Sequence, residues 1–131
     1  MSALIFFAVG GAIYIAYRPT SLKMFTWFKR LGLSEIIKDF RESTHSLRLN
    51  DFMVYSLPDG LWVISYIMIV DVIWCNNRKA QLLWGGILTV IGVVSELLQR
   101  IYVVNGTYDY NDILCYTIPY ILYLTLKLLF R

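Results

Sequence analysis

The sequence predicts an all-α fold, a polytopic membrane protein built as a four-helix transmembrane bundle with interfacial amphipathic helices after the first helix. Of its 131 residues, 58% are hydrophobic and 16% are charged, which leaves few polar side chains to coat a soluble domain. The apolar residues are concentrated in four runs. Because backbone amides in lipid need internal partners, these runs are expected to be helices.

The four helices are predicted at about 3–17, 59–75, 82–99 and 110–129, within a single membrane domain, 1–131. Each run is at the short end of the roughly 20 residues that span a bilayer. The polar link NNRKAQ predicts a tight turn that makes the second and third helices antiparallel. Small residues at steps of four, Ala8, Ala12 and Ala16, with Gly11 beside them, give the first helix a face on which another helix can pack.

The interfacial segment, 18–56, is predicted to contain two short amphipathic helices. Thr20 or Ser21 can cap the first, and Gly32 is a natural stop for it. Ser34 can cap the second. Basic, aromatic helices of this kind lie in the membrane interface, so membrane lipids are expected partners. The same helices would also serve simply to cover the rim of the bundle.

A group of polar residues near the ends of the apolar runs is the main functional signal. In the third helix, Glu96 and Gln99 share a face with the small residues Gly92, Thr89 and Gly85, which predicts that both point into the bundle. In the fourth helix, one face carries Asp109, Asp112, Tyr116, Tyr120 and Tyr123. An up-down bundle would bring Asp59, Glu96, Gln99, Asp109 and Asp112 to one rim, with Arg100 and Tyr116 as contributors.

Helix capping is the alternative explanation for several of these acids. Ser56 and Asp59 have the spacing of a capping box, and Asp109 and Asp112 stand at a helix start. Glu96 does not fit that explanation, because a carboxylate in the last turns of a helix faces the negative end of the helix dipole. Protonation, Arg100 or a bound ligand would have to compensate for it.

Two further charges lie at the opposite rim. Asp71 and Lys127 are predicted to reach similar depths on parallel helices. We therefore expect them to form an ion pair with a structural role.

The sequence gives no indication of a metal site, a cofactor or a nucleic-acid interface. Cys75 and Cys115 are predicted to lie at opposite faces of the membrane, which excludes a disulfide between them. Two separated cysteines and a single histidine, His45, also provide too few ligands for a metal site. The basic residues form no concentrated patch, and the aromatic residues lie in apolar runs.

The order Glu96-x-x-Gln99, Gly106, Asp109-x-x-Asp112 after a hydrophobic segment resembles the signature of VanZ-like membrane proteins. Asp59 matches the acidic residue that this family has at the head of its second helix. The similarity covers roughly residues 52–131 and is that of a divergent member. Thr107 stands where the family often has arginine, and Gly60 and Leu61 stand where it often has lysine and histidine.

The resemblance implies a multi-pass protein of the bacterial cytoplasmic (inner) membrane, with the polar motif outside and both termini in the cytoplasm. Arg78, Lys79, Lys127 and Arg131 agree with this orientation. The long connection, with seven Lys or Arg residues, favours the opposite one.

Three functions are compatible with these features, and a non-enzymatic role is favoured because no nucleophile–base pair is evident. The first is a binding or accessory role in the cell envelope, where the family's named member is linked to teicoplanin resistance. Its partner would be a lipid-linked envelope precursor, a lipophilic antibiotic or a membrane protein. The second is a metal-assisted enzyme acting on a lipid phosphate, and the third is a structural subunit of a membrane complex.

Overall fold

The computed structural model describes residues 2–129, and within them it contains seven α-helices and no strand. The prediction of an all-helical chain is confirmed. The helices are α1 (Ser2–Tyr17), α2 (Lys23–Arg30), α3 (Ser34–Thr44), α4 (Asp51–Tyr55), α5 (Leu57–Ile73), α6 (Arg78–Arg100) and α7 (Tyr110–Leu129). Arg131, one of the charges used above to predict the orientation, lies outside the described residues.

Helix α5 is at the centre of the arrangement, since α1, α6 and α7 all pack against it. Helices α6 and α7 also pack against each other, and α3 and α4 lie against α1. The short turn between α5 and α6 makes those two helices antiparallel, and the Asn77 side chain caps α6 by accepting from the Ala80 amide at 3.1 Å. Helix α6 therefore begins four residues before its predicted start.

The head of α5 differs from its predicted form. Residues 51–55 are helical, so Ser56 follows one helix directly and has helical backbone angles, φ −103° and ψ −39°. An N-cap residue needs an extended backbone, and the Ser56 side chain makes no capping hydrogen bond. The capping box predicted from Ser56 and Asp59 is therefore wrong.

Gly10, which is not on the predicted small-residue face, sets the contact between α1 and α5, while Ala16 of the predicted face is also buried. Gly10 lies against Trp62 and the Pro58 carbonyl, so that a Cβ at this position would be 2.8 Å from the Trp62 ring nitrogen. No atom of a neighbouring element lies within 4 Å of a Cβ placed on Gly11, and Ala8 is exposed.

The contact between α6 and α7 follows the predicted faces. Gly92 packs against the ring of Tyr116, and Gly86 packs against the ring of Tyr120. The Thr89 hydroxyl donates to the Tyr116 carbonyl at 3.0 Å, and the Tyr120 hydroxyl donates to the Leu82 carbonyl at 2.7 Å. Small residues on one helix thus leave room for the large rings of the other.

Within the described residues, two helices, α6 and α7, are long and apolar enough to cross a membrane. Helix α6 has 23 residues and α7 has 20. At a rise of about 1.5 Å per residue, both reach the roughly 30 Å thickness of a hydrocarbon core. Helix α1 is apolar but shorter, with 16 residues.

An ion pair ties α5 to α7 at the end of the bundle near the α5–α6 turn. Lys127 Nζ lies 2.7 Å from Asp71 Oδ1, and the Tyr123 hydroxyl donates to the same oxygen at 2.7 Å. Gln81 on α6 donates to the Asp71 carbonyl at 3.1 Å, and Arg78 donates to the Lys127 carbonyl. Three helices are therefore joined around the Asp71–Lys127 pair.

Replacing Lys127 with leucine should destabilise the protein by about 1–3 kcal/mol, between the values for exposed and buried ion pairs, because Asp71 would lose its cation. Adding Asp71→Asn should recover part of that loss. Thermal unfolding of the purified single and double variants in detergent measures both effects. Equal melting temperatures for wild type, Lys127→Leu and the double variant would show that the pair does not contribute to stability.

Candidate functional site

The predicted polar residues meet at the other end of the bundle, where α1 and α6 end and α5 and α7 begin. Their contacts join three elements, since Tyr116 on α7 bonds to Asp59 on α5 and Glu96 on α6 bonds to the residue before α7. We call this group of residues the acidic rim. It comprises Asp59, Glu96, Gln99, Asp109, Asp112 and Tyr116, together with Arg18.

Glu96 is the most buried acid of the rim, with 4% of its surface exposed. Its Oε2 accepts from the backbone amide of Asp109 at 3.2 Å, and its Oε1 accepts from the Gln99 side chain at 3.3 Å. Asp109 immediately precedes α7, so the carboxylate faces the positive end of that helix dipole. This contact offsets the unfavourable position of Glu96 in the last turns of α6.

Gln99, Gly106 and Asp109 shape the loop between α6 and α7. Gly106 has φ +155° and lies so close to Gln99 that a Cβ on it would be 2.5 Å from the Gln99 side-chain oxygen. The Asp109 side chain accepts from the Asn111 amide at 2.9 Å and so caps α7. Gln99 therefore lies between Glu96, to which it donates, and the loop, which packs on it at Gly106.

Asp59 lies in the first turn of α5 and is bound from α7. The Tyr116 hydroxyl donates to Asp59 Oδ2 at 3.1 Å. The charges close enough to act on Asp59 are those of Asp112, Arg18 and Glu96. Two carboxylates and one guanidinium thus share the environment of Asp59.

Arg18, directly after α1, is the rim residue that was not predicted. Its guanidinium lies between the rings of Tyr14 and Tyr55, at 5.0 and 4.8 Å from their centroids, and donates to the Tyr55 carbonyl at 3.1 Å. Its charge acts on both Asp59 and Asp112. In the sequence, Arg18 is a single arginine at the end of an apolar run. That pattern does not distinguish a site residue from an ordinary charge that flanks a membrane span.

Arg100 is not brought to the acids. It is exposed, its guanidinium lies 5.4 Å from the centroid of the Tyr108 ring, and it forms no ion pair within residues 2–129. The cation that faces the acidic rim is therefore Arg18, from α1, although Arg100 is closer to Glu96 in the sequence.

Two buried polar atoms of the rim, Arg18 Nε and Asp112 Oδ1, lack a hydrogen-bond partner, and so does Oγ of the neighbouring Ser56. Ser56 is fully buried, and its hydroxyl lies beside the Asp112 carboxylate. Buried polar groups normally have partners, so this group of atoms is an unusual feature of the rim.

The rim therefore brings carboxylate acceptors together with the potential donors of Arg18 and Ser56. In the part of the chain that the structure describes, no group of three or more His, Cys, Asp or Glu side chains is arranged to hold a metal ion.

Comparison of the chain with family models, with curated proteins and with solved structures finds no match. The resemblance to VanZ-like proteins thus depends on the order and spacing of the residues that form the acidic rim.

Replacing Gly92 with alanine should displace Tyr116 and so disturb its bond to Asp59. The new Cβ would lie 2.6 Å from the base of the Tyr116 ring, and overpacking of this kind costs about 1–3 kcal/mol. Gly85→Ala is the matched control on the same face of α6, because its Cβ would make an ordinary contact at 3.5 Å with Tyr123.

Thermal unfolding in detergent compares the two variants. We expect Gly92→Ala to lower the melting temperature and Gly85→Ala to leave it equal or higher, since alanine favours a helix over glycine by about 1 kcal/mol. If Gly92→Ala melts at or above the temperature of Gly85→Ala, the close packing of Tyr116 on α6 is wrong.

Proposed function

We propose that this chain is a divergent VanZ-like protein of the bacterial cell envelope, which crosses the cytoplasmic membrane four times and binds a ligand at the acidic rim. Helices α1, α5, α6 and α7 would be the spans, both termini would lie in the cytoplasm, and the rim would face outward. The role is one of binding rather than catalysis, and its proposed consequence is lowered susceptibility to teicoplanin.

The distribution of polar and apolar side chains supports the four spans. Each of the four helices exposes large apolar residues, such as Leu4 (66% exposed), Val72 (75%), Leu83 (69%) and Leu129 (71%). The buried residues include five polar ones, namely Ser56, Ser65, Gln81, Thr89 and Glu96. An apolar exterior around a partly polar interior suits a hydrocarbon solvent and would make a water-soluble protein aggregate.

The α6–α7 loop supports the placement of the rim at a membrane surface. Ile101, Tyr102 and Val103 project from it and are largely exposed, directly beside Gln99. Apolar and aromatic side chains of this kind favour the interface between headgroups and acyl chains. A ligand that approaches along the membrane would meet the acidic rim at this depth.

The observation that carries the binding role is the set of partnerless buried atoms among the carboxylates. Arg18 Nε and Ser56 Oγ can donate, while Asp112 Oδ1 can accept. A ligand with hydroxyl or amide groups, which both donate and accept, would satisfy them. Lipid-linked envelope precursors and lipoglycopeptides both offer such groups beside a lipid chain, which would remain in the membrane.

Expression of the chain in a teicoplanin-susceptible bacterium should raise the inhibitory concentration of teicoplanin above that of cells with an empty vector. Asp59→Asn and Glu96→Gln should remove the increase, because each takes a carboxylate from the rim. Asp39→Asn, on the exposed face of α3, is the matched control and should keep it. Immunoblots of membrane fractions verify equal amounts of each variant. No increase with the wild-type chain, or the same increase with all variants, would contradict the proposal.

The orientation is tested by labelling intact cells with a membrane-impermeant maleimide. In a variant with Cys75→Ser and Cys115→Ser, a cysteine introduced as Asn105→Cys should be labelled from outside, because it lies in the α6–α7 loop. A variant with only Cys115→Ser provides the control, since Cys75 is exposed at the α5–α6 turn and should react only after the cells are opened. The reverse pattern would place the acidic rim in the cytoplasm.

A further inference from the structure

A groove lies between α2 and α3, outside the acidic rim. Its volume is about 780 Å³, within the range of about 300–1,000 Å³ found for ligand pockets. Its apolar surface comes from Phe25, Phe28 and Ile37, and its cations are Lys29, Lys38 and Arg41. The function proposed above makes no use of this groove.

The turn between α2 and α3 gives the groove a defined shape. The Gly32 amide donates to the Lys29 carbonyl at 3.2 Å, and the Leu33 amide donates to the Phe28 carbonyl at 3.0 Å. With φ +73° at Gly32, these bonds form a Schellman motif, which ends α2 and directs the chain into α3. Gly32, which adopts a positive φ easily, thus forms the turn that joins α2 and α3, the two walls of the groove.

Arg41 fixes the groove to the end of α1. Its Nη1 donates to the carbonyls of Ile15 at 2.6 Å and Arg18 at 3.0 Å, and its guanidinium lies 5.6 Å from the centroid of the Phe25 ring. Because Arg18 also belongs to the acidic rim, the groove and the rim share one backbone segment.

The charges along the groove suit an anion. Lys29 has no acidic partner within residues 2–129, and Lys38 faces Glu42 at 3.9 Å with both side chains mostly exposed, which makes a weak pair. Ser34 begins α3 and lines the groove, and the residue before it, Leu33, cannot cap the helix with its side chain. The amide groups of this first turn are therefore not capped by the residue before the helix.

We infer that the groove binds one anionic phospholipid, with an acyl chain on Phe25, Phe28 and Ile37 and the phosphate between Lys29, Lys38 and Ser34. The inference depends on the membrane placement proposed above, and it is independent of the glycopeptide and of the orientation. Trp27 and Ile36, on the outer faces of α2 and α3, are 63% and 65% exposed, which keeps both helices at the membrane interface. The occupant is a lipid because the groove combines a cationic edge with an apolar surface.

Native mass spectrometry of the full-length protein in detergent tests this, with dioleoylphosphatidylglycerol and dioleoylphosphatidylcholine as probes. The wild-type protein should retain phosphatidylglycerol in preference to phosphatidylcholine. Lys29→Gln combined with Lys38→Gln should abolish the preference. Lys23→Gln combined with Arg30→Gln is the matched control, because it removes two charges from α2 outside the groove and should leave the preference intact.

Ser34→Asp is a second variant that does not threaten the fold, since aspartate is favoured at the start of a helix. It should also reduce phosphatidylglycerol binding, because its charge repels the phosphate. Equal losses in the groove variant and the control would show that binding depends on total charge only, and so overturn the inference. The absence of a preference in wild type, or displacement of the lipid by an equal concentration of inorganic phosphate, would overturn it too.

Discussion

The Glu96 carboxylate connects the last turns of α6 to the start of α7, and the geometry of the acidic rim depends on that connection. One oxygen accepts from the amide of Asp109, and the other accepts from Gln99 on its own helix. With the head of α7 fixed in this way, Asp112 and Tyr116 face α5, where Tyr116 donates to Asp59. Glu96 is therefore unfavourable in the last turns of α6 alone, but it stabilises the contact between α6 and α7.

The two ends of the bundle use carboxylates differently. Near the α5–α6 turn, Asp71 has a close cation and a tyrosine donor, so its charge is compensated within the protein. At the acidic rim, Arg18 is the cation that faces Asp59 and Asp112, while polar atoms there remain without partners. Structural charges are expected to be satisfied within the protein, and this contrast is why the proposed ligand is placed at the rim.

The sequence predicted those parts of the rim that follow from helix periodicity. Gly85, Thr89, Gly92 and Glu96 lie on one face whichever helices surround them, so the α6 side of the site could be derived. The position of Arg18 could not be derived, because it depends on how α1 packs on α5. That packing is set by the contact of Gly10 with Trp62, and no spacing rule distinguishes Gly10 from Gly11. Ser56 was misinterpreted because the helical turn before it, 51–55, carries no strong periodic signal.

Amide hydrogen exchange at Asp109 is the most direct measurement of the contact on which the site depends. In Glu96→Ala, the Asp109 amide loses its acceptor, and we expect it and the first residues of α7 to exchange faster than in wild type. Glu35→Ala, on exposed α3, is the control and should leave this exchange unchanged. If Asp109 exchanges at the same rate in wild type and Glu96→Ala, Glu96 does not hold α7 in place and this explanation of the acidic rim is wrong.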